Sequence, residues 1–146
     1  MRLNRAVEYG IEGLMVLARA GRERSTMLRE VSRTTRISET FLSKIFQKLV
    51  RSGLVRSRRG FRGGFLLARP ASQITLREVI EALQGPISFP APKAEPFSSQ
   101  NSDAPGRGRL RQVLERTQAR VRAVLEETTV ADLATSGFPA SRNNLV

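Results

Sequence analysis

The concentrated chemistry of this chain lies between Ser38 and Arg62. Advanced at 100° per residue, Thr40, Ser43, Lys44, Gln47 and Arg51 fall on one side of a helix. All five can hydrogen-bond and none is acidic, which suits contact with base edges and phosphates. Just downstream, Arg56, Arg58, Arg59 and Arg62 are interleaved with Gly60, Gly63 and Gly64. Glycines permit a hairpin there, and the arginines make its tip strongly positive. A polar helix face beside an arginine-tipped hairpin is equipped to read a DNA groove. The plainer alternative is a core helix with a solvated basic hairpin; the coincidence of both features with the segment before them favours DNA.

The positioning elements follow from periodicity. Leu42, Ile45, Phe46 and Leu49 obey the i, i+3, i+4, i+7 rule and predict a buried stripe opposite the polar face. Ser38 is placed to cap this helix, Glu39 suits its positive end, and Gly53 closes it. A shorter helix is predicted over Leu28–Thr34, with Thr35, Arg36 and Ile37 as the turn between the two: helix-turn-helix spacing. The apolar pairs around Leu54-Val55 and Phe65-Leu67 predict the strands of a wing. A first helix is expected over 3–20, with Leu3, Val7, Ile11, Leu14, Met15 and Ala18 inward; Gly10 and Gly13 are tolerable there if another helix packs closely. Thr75 and Glu78 form a capping box for a helix carrying Leu76, Val79, Ile80 and Leu83, stopped by Gly85-Pro86.

Composition narrows the function. In 146 residues there are 25 Lys/Arg and 13 Asp/Glu, a net charge of +12, and 22 of the cations are arginine. Residues 1–88 hold 17 cations against 7 acids, so the basic character sits in the N-terminal part, where phosphate contact is expected. Cysteine and histidine are both absent. That excludes disulfides, thiolate–imidazole zinc sites, cysteine nucleophiles and Ser-His-Asp triads. The acids are scattered without a paired-carboxylate motif, so no enzyme and no cofactor is expected. No apolar run approaches a membrane span and no signal peptide is visible; a cytoplasmic protein without a membrane partner is expected.

The C-terminal part changes character. Ser88–Gly108 is rich in Pro, Ser and Ala, with Phe89 and Phe97 as its aromatic residues, and reads as a flexible loop. A long helix is predicted over about Arg109–Glu127. Leu110, Leu114, Thr117, Val121 and Val124 keep the spacing of a coiled-coil seam. Pairing with a second copy is expected, packing back on its own domain being the alternative. Thr129 and Asp132 cap a last turn through Leu133. The organisation is therefore a mainly α chain with a small β-wing: a winged helix-turn-helix domain at 1–87, the loop at 88–108, a dimerisation helix and last turn at 109–134, and a tail at 135–146.

Several stretches carry a resemblance: Ile37-Ser38-Glu39-Thr40-Phe41-Leu42, Leu49-Val50-Arg51-Ser52-Gly53-Leu54-Val55, the run from Arg59 to Pro70, Ile74-Thr75-Leu76-Arg77-Glu78-Val79-Ile80, and Thr128-Thr129-Val130-Ala131-Asp132-Leu133. On these the chain resembles the Rrf-two (Rrf2) family of bacterial transcription regulators, the IscR/NsrR-like winged-helix repressors. The likeness is close over 1–87 and looser over 110–133. It implies a homodimer joined through the long helix on a palindromic operator in double-stranded DNA. Ser38, Thr40, Ser43 and Lys44 would face bases and nearby phosphates, Arg59 would enter the minor groove, and Arg58 and Arg62 would hold phosphates. Ser43 replaces a discriminating acid, so operator preference should differ, and Phe61-Arg62 replace the usual Pro and Gly of the wing tip. Cluster-binding members place three cysteines in the loop that here has none; Glu8, at a carboxylate-ligand position of some members, cannot hold a cluster alone. The resemblance thus implies a regulator without an iron–sulfur cluster, answering to a small-molecule or protein effector, with Phe89 and Phe97 as the candidate site. A non-specific nucleic-acid-binding protein or an enzyme-docking regulatory protein is the alternative.

Overall fold

The computed structural model describes residues 2–89 and 105–135. Its elements run α1 (Arg5–Ala20), α2 (Leu28–Thr35), α3 (Glu39–Arg51), β1 (Val55–Arg58), β2 (Gly64–Leu67), a 3-10 turn (Ala71–Gln73), α4 (Leu76–Gln84), α5 (Pro105–Glu127) and α6 (Val130–Ala134). The two strands pair antiparallel and the rest is helical, in keeping with the expected fold class.

α3 forms as its side chains dictate. The Phe41 N–H donates to the Ser38 hydroxyl oxygen at 3.4 Å, and Leu42, Ile45, Phe46 and Leu49 are all buried. Gly53 leaves the helix at φ +76°, a conformation that side-chain-bearing residues resist. Phe46 meets Phe65 of β2 edge-on, with ring centroids 4.9 Å apart. The central helix and the wing therefore share one core contact, and burying a ring of this size stabilises by about 1.5–3 kcal/mol.

α1 departs from its expected stripe. Leu3 precedes the helix and is exposed, and Ile11 and Met15 are only half-buried. The inward line is instead Val7, Gly10, Leu14 and Leu17, with Gly13 beside it. The glycines are the contact points. A Cβ on Gly10 would lie 2.3 Å from Leu83 Cδ1 of α4, and one on Gly13 would lie 2.7 Å from Phe46 Cε2. Close approach of α4 and of the Phe46 ring offsets the ~1 kcal/mol that each glycine costs inside a helix.

α4 opens with the expected capping box. Glu78 Oε2 accepts from the Thr75 N–H at 3.0 Å, while Glu78 Oε1 meets Arg69 Nη2 at 2.8 Å. Partial burial pushes the Glu78 carboxyl up, but the Thr75 hydrogen bond and the Arg69 guanidinium outweigh it and hold the group below the ordinary carboxylate range. The pair ties the exit of the wing to the helix that follows.

α5 begins four residues before the expected Arg109, at Pro105, where a residue without an N–H fits a first helical turn. Gly106, Arg107 and Gly108, read as loop from sequence, are therefore helical. The loop's remaining core, residues 90–104 with Phe97, lies outside the described residues, as does the tail beyond residue 135. At its far end the helix returns to the winged domain. The Leu76 N–H donates to the Thr128 carbonyl at 2.8 Å, and the Val130 N–H donates to the Ile74 carbonyl at 2.9 Å. Val130 is buried in the common core, Thr129 and Asp132 form their capping box, and α6 packs on α1.

Candidate nucleic-acid interface

The angle between α2 and α3 is set by a short polar turn. Arg36 adopts a left-handed conformation at φ +59°, the Ser32 hydroxyl donates to the Ile37 carbonyl at 2.6 Å, and buried Ile37 plugs the corner. With α3 so held, Thr40, Lys44, Gln47 and Arg51 are exposed and Ser43 is half-buried. Thr40, Ser43, Lys44 and Gln47 line one shallow groove together with Leu28 and Glu39. Ser38 and Arg51 lie off that groove. Ser38 borders a separate hollow with Tyr9, Arg36 and Phe41, where the Tyr9 and Phe41 rings meet edge-on.

The wing is longer in its strands and shorter in its loop than the apolar pairs alone predict. Val55 pairs with Leu67, Arg56 with Leu66, Ser57 with Phe65 and Arg58 with Gly64, leaving 59–63 as the tip. The Gly63 N–H donates to the Gly60 carbonyl at 2.8 Å and Gly60 sits at φ +105°, so a tight turn closes the hairpin. Two residues just ahead of α2 hold the wing down. Thr26 and Phe65 exchange both backbone hydrogen bonds at 2.8 Å, and the Ser25 hydroxyl donates to the Arg62 carbonyl. Nothing local marks that pairing, because it joins segments far apart in the chain.

The cations of this helix face and wing are not neutralised by neighbouring carboxylates among the described residues. Arg24, Arg69, Arg77 and Arg111 each pair with a carboxylate. Lys44, Arg51, Arg56, Arg58, Arg59 and Arg62 make no ion pair with a carboxylate of the described residues. All six are exposed. Arg58, Phe61 and Arg62 line a second depression with Met27, the residue that precedes Leu28 of the α3 groove. Helix face and wing therefore flank the start of α2 as one surface, positive on balance although Glu23, Glu30 (paired with Arg24) and Glu39 line its two depressions. It can take phosphates along its edges and bases between them.

The donor set does not fit an iron centre. The chain has neither cysteine nor histidine, and the described residues contain no group of three or more acidic side chains that could hold a metal ion. Glu8 is exposed on α1. Among the described residues no helix is long and apolar enough to cross a membrane.

The predicted seam of α5 is divided between two directions. Val121 and Leu125 pack against the common core and Leu114 is half-buried. Leu110, Thr117 and Val124 face outward, with Val113 beside them; Leu110, Val113 and Val124 are 49%, 56% and 59% exposed. The inner face also clasps the chain entering residues 88–108. The Phe89 N–H donates to Gln118 Oε1 at 3.1 Å, and Arg122 Nη2 donates to the Ile87 carbonyl at 2.8 Å.

Residues 3–136 match the family model Rrf2, described as an iron-dependent transcriptional regulator. The protein aau3 of Rhizobium meliloti is 39% identical over 105 residues, which cover 72% of this chain and 65% of that protein. The HTH-type transcriptional regulator CymR of Bacillus subtilis is 31% identical over 134 residues, 92% of this chain and 90% of CymR. The solved structure of B. subtilis CymR, described as that organism's global cysteine regulator, superposes with a TM-score of 0.77 and covers 92% of this chain and 96% of its own.

Proposed function

This chain belongs to the Rrf2 family of DNA-binding transcription regulators, and we propose that it works as a homodimer that represses transcription from a palindromic operator without an iron–sulfur cluster. The observation that carries the proposal is the single surface formed by the acid-poor face of α3 and the wing, whose six cations have no described carboxylate partner. In it Thr40, Ser43, Lys44 and Gln47 read the major groove, with Ser38 and Arg51 flanking them. Arg59 enters the minor groove, and Arg58 and Arg62 hold phosphates.

Dimerisation uses the outward stripe of α5, Leu110, Val113, Thr117 and Val124, with Leu114 at its edge and Val121 turned to the protein's own core. A dimer lying across a promoter represses by occupancy alone. The effector, a small molecule or a partner protein, acts at residues 88–108 around Phe89 and Phe97. Gln118 and Arg122 give that segment a direct hold on the dimer helix. The absence of every thiolate and imidazole excludes a cluster of the family's cysteine-held kind.

The test is selection of bound duplexes from a random library by the purified chain. The expected product is an inverted repeat whose half-sites lie on one face of the helix, one or more turns apart. Recovery of unrelated sequences with no shared element would favour non-specific nucleic-acid binding instead.

A further inference from the structure

We propose that Phe61 is an apolar wedge that enters the minor groove and partly unstacks one base step, so that the protein bends the DNA it binds; this rests on the operator reading above. Phe61 is 100% exposed, alone among the large apolar residues of the described chain in having no cover at all. Its ring therefore contributes nothing to the core and is free to meet something outside the protein.

Position, rigidity and charge identify what that is. Gly60, Phe61, Arg62 and Gly63 form the turn closed by the Gly63 N–H on the Gly60 carbonyl at 2.8 Å. Phe61 and Arg62 are its two corners, the points of the wing farthest along the hairpin. The turn is fixed before any partner arrives: the Ser25 hydroxyl donates to the Arg62 carbonyl, and the Thr26–Phe65 bridge anchors the strand behind it. A pre-set turn loses little conformational freedom on binding. Around the ring stand Arg58, Arg59 and Arg62, all exposed and none paired with a described carboxylate. The depression that the ring lines holds Arg58, Arg62, the Arg24–Glu30 pair, Glu23 and one further apolar side chain, Met27. With a single apolar neighbour and a positive balance of charge, the ring is met less well by an apolar patch on a partner protein than by a surface that is anionic outside and stacked inside. Duplex DNA has that chemistry, and apolar side chains inserted between base steps beside groove-bound cations are an established means of bending it.

Sequence preference follows. Pyrimidine–purine steps unstack most cheaply, so the operator should carry one under each wing, at a position no hydrogen bond reads.

The test uses the full chain and the duplex recovered by selection, with fluorophores at both ends reporting the bend and a salt titration reporting the phosphate contacts. The wild-type chain should bend the duplex by about 20–90°. Phe61→Ala should lose most of that bend and about tenfold in affinity, with its salt slope unchanged because no phosphate contact is lost. Phe61→Leu should recover both. Replacing the pyrimidine–purine step by a stiff adenine run should weaken wild type to the level of Phe61→Ala and leave that variant unaffected. A Phe61→Ala chain that bends and binds like wild type overturns the wedge while the operator reading stands. A wild-type chain with no preferred duplex overturns the operator reading and the wedge with it.

Discussion

Replacing Val113 and Val124 together by aspartate is expected to turn a dimer into folded monomers and to weaken operator binding by about 10²–10⁴-fold. The two valines lie on the outward stripe of α5, 56% and 59% exposed in the single chain. They are about 16 Å apart along the helix axis. Carboxylates there cost the monomer little, because water already reaches both positions. In a dimer they would be buried against their own copies, where unpaired charge is strongly unfavourable. Once the halves separate, each winged domain binds its half-site alone, and the high effective concentration that tethering provides is gone. Sedimentation gives the assembly state, and circular dichroism shows that the monomer is folded. A double variant that remains dimeric would move the interface off this stripe; a folded monomer with undiminished affinity would remove dimerisation from the mechanism.

The second large effect is expected at Gly64. It holds φ +145°, and a Cβ there would lie 2.5 Å from the Thr26 carbonyl oxygen and 3.0 Å from the Met27 nitrogen, both backbone atoms that cannot rotate away. Gly64→Ala must therefore push β2 off the segment before α2. Backbone strain of this kind costs about 1–3 kcal/mol. Each Thr26–Phe65 hydrogen bond lost with it costs about 0.5–1.5 kcal/mol more. Urea unfolding should show the loss, and operator affinity should fall because the wing is no longer held against α2. Gly108→Ala is the control, since a Cβ there meets nothing within 4 Å. Inside a helix that change should be neutral or stabilising by up to about 1 kcal/mol. An unaltered unfolding midpoint for Gly64→Ala would show that the wing is not clamped where the Thr26–Phe65 bridge puts it.

What sequence could reveal divides along the range of the interactions. α3, its Ser38 cap, the Thr75–Glu78 box and the Thr129–Asp132 box were legible because each depends on residues within one or two turns. The close packing that Gly10 and Gly13 would allow was foreseen, and Leu83 and Phe46 supply it. The α1 stripe was still misplaced because a glycine carries no apolar signal, so the inward line through Gly10 was passed over for Leu3, Ile11 and Met15. Arg56, Ser57 and Arg58 read as loop because they are polar, yet strand pairing uses their backbone and leaves their side chains in water. The a/d spacing of α5 was visible, but spacing alone cannot distinguish a face turned to a twin from one turned to α4. Val121 and Leu125 took the second course once Thr128–Val130 docked on Ile74–Leu76. That docking and the Ser25–Thr26 clamp on the wing join segments remote in sequence and left no local signal. The polar face of α3 and the arginines of the wing were both visible in advance. Their union into one surface across Met27 and Leu28 was not.

The central claim is that this surface reads DNA sequence rather than charge. It is tested most directly by titrating the purified chain against the selected operator and a scrambled duplex of equal length, at about 50 and 200 mM salt. The account predicts operator binding tighter than scrambled by at least about 10³-fold at the higher salt. Both affinities should fall steeply between the two salt concentrations, by about 0.9 log units per log unit of salt for each phosphate neutralised. Arg59→Ala should lose about 1–3 kcal/mol on the operator. Equal affinity for the two duplexes at both salt concentrations, unchanged by Arg59→Ala, would contradict it.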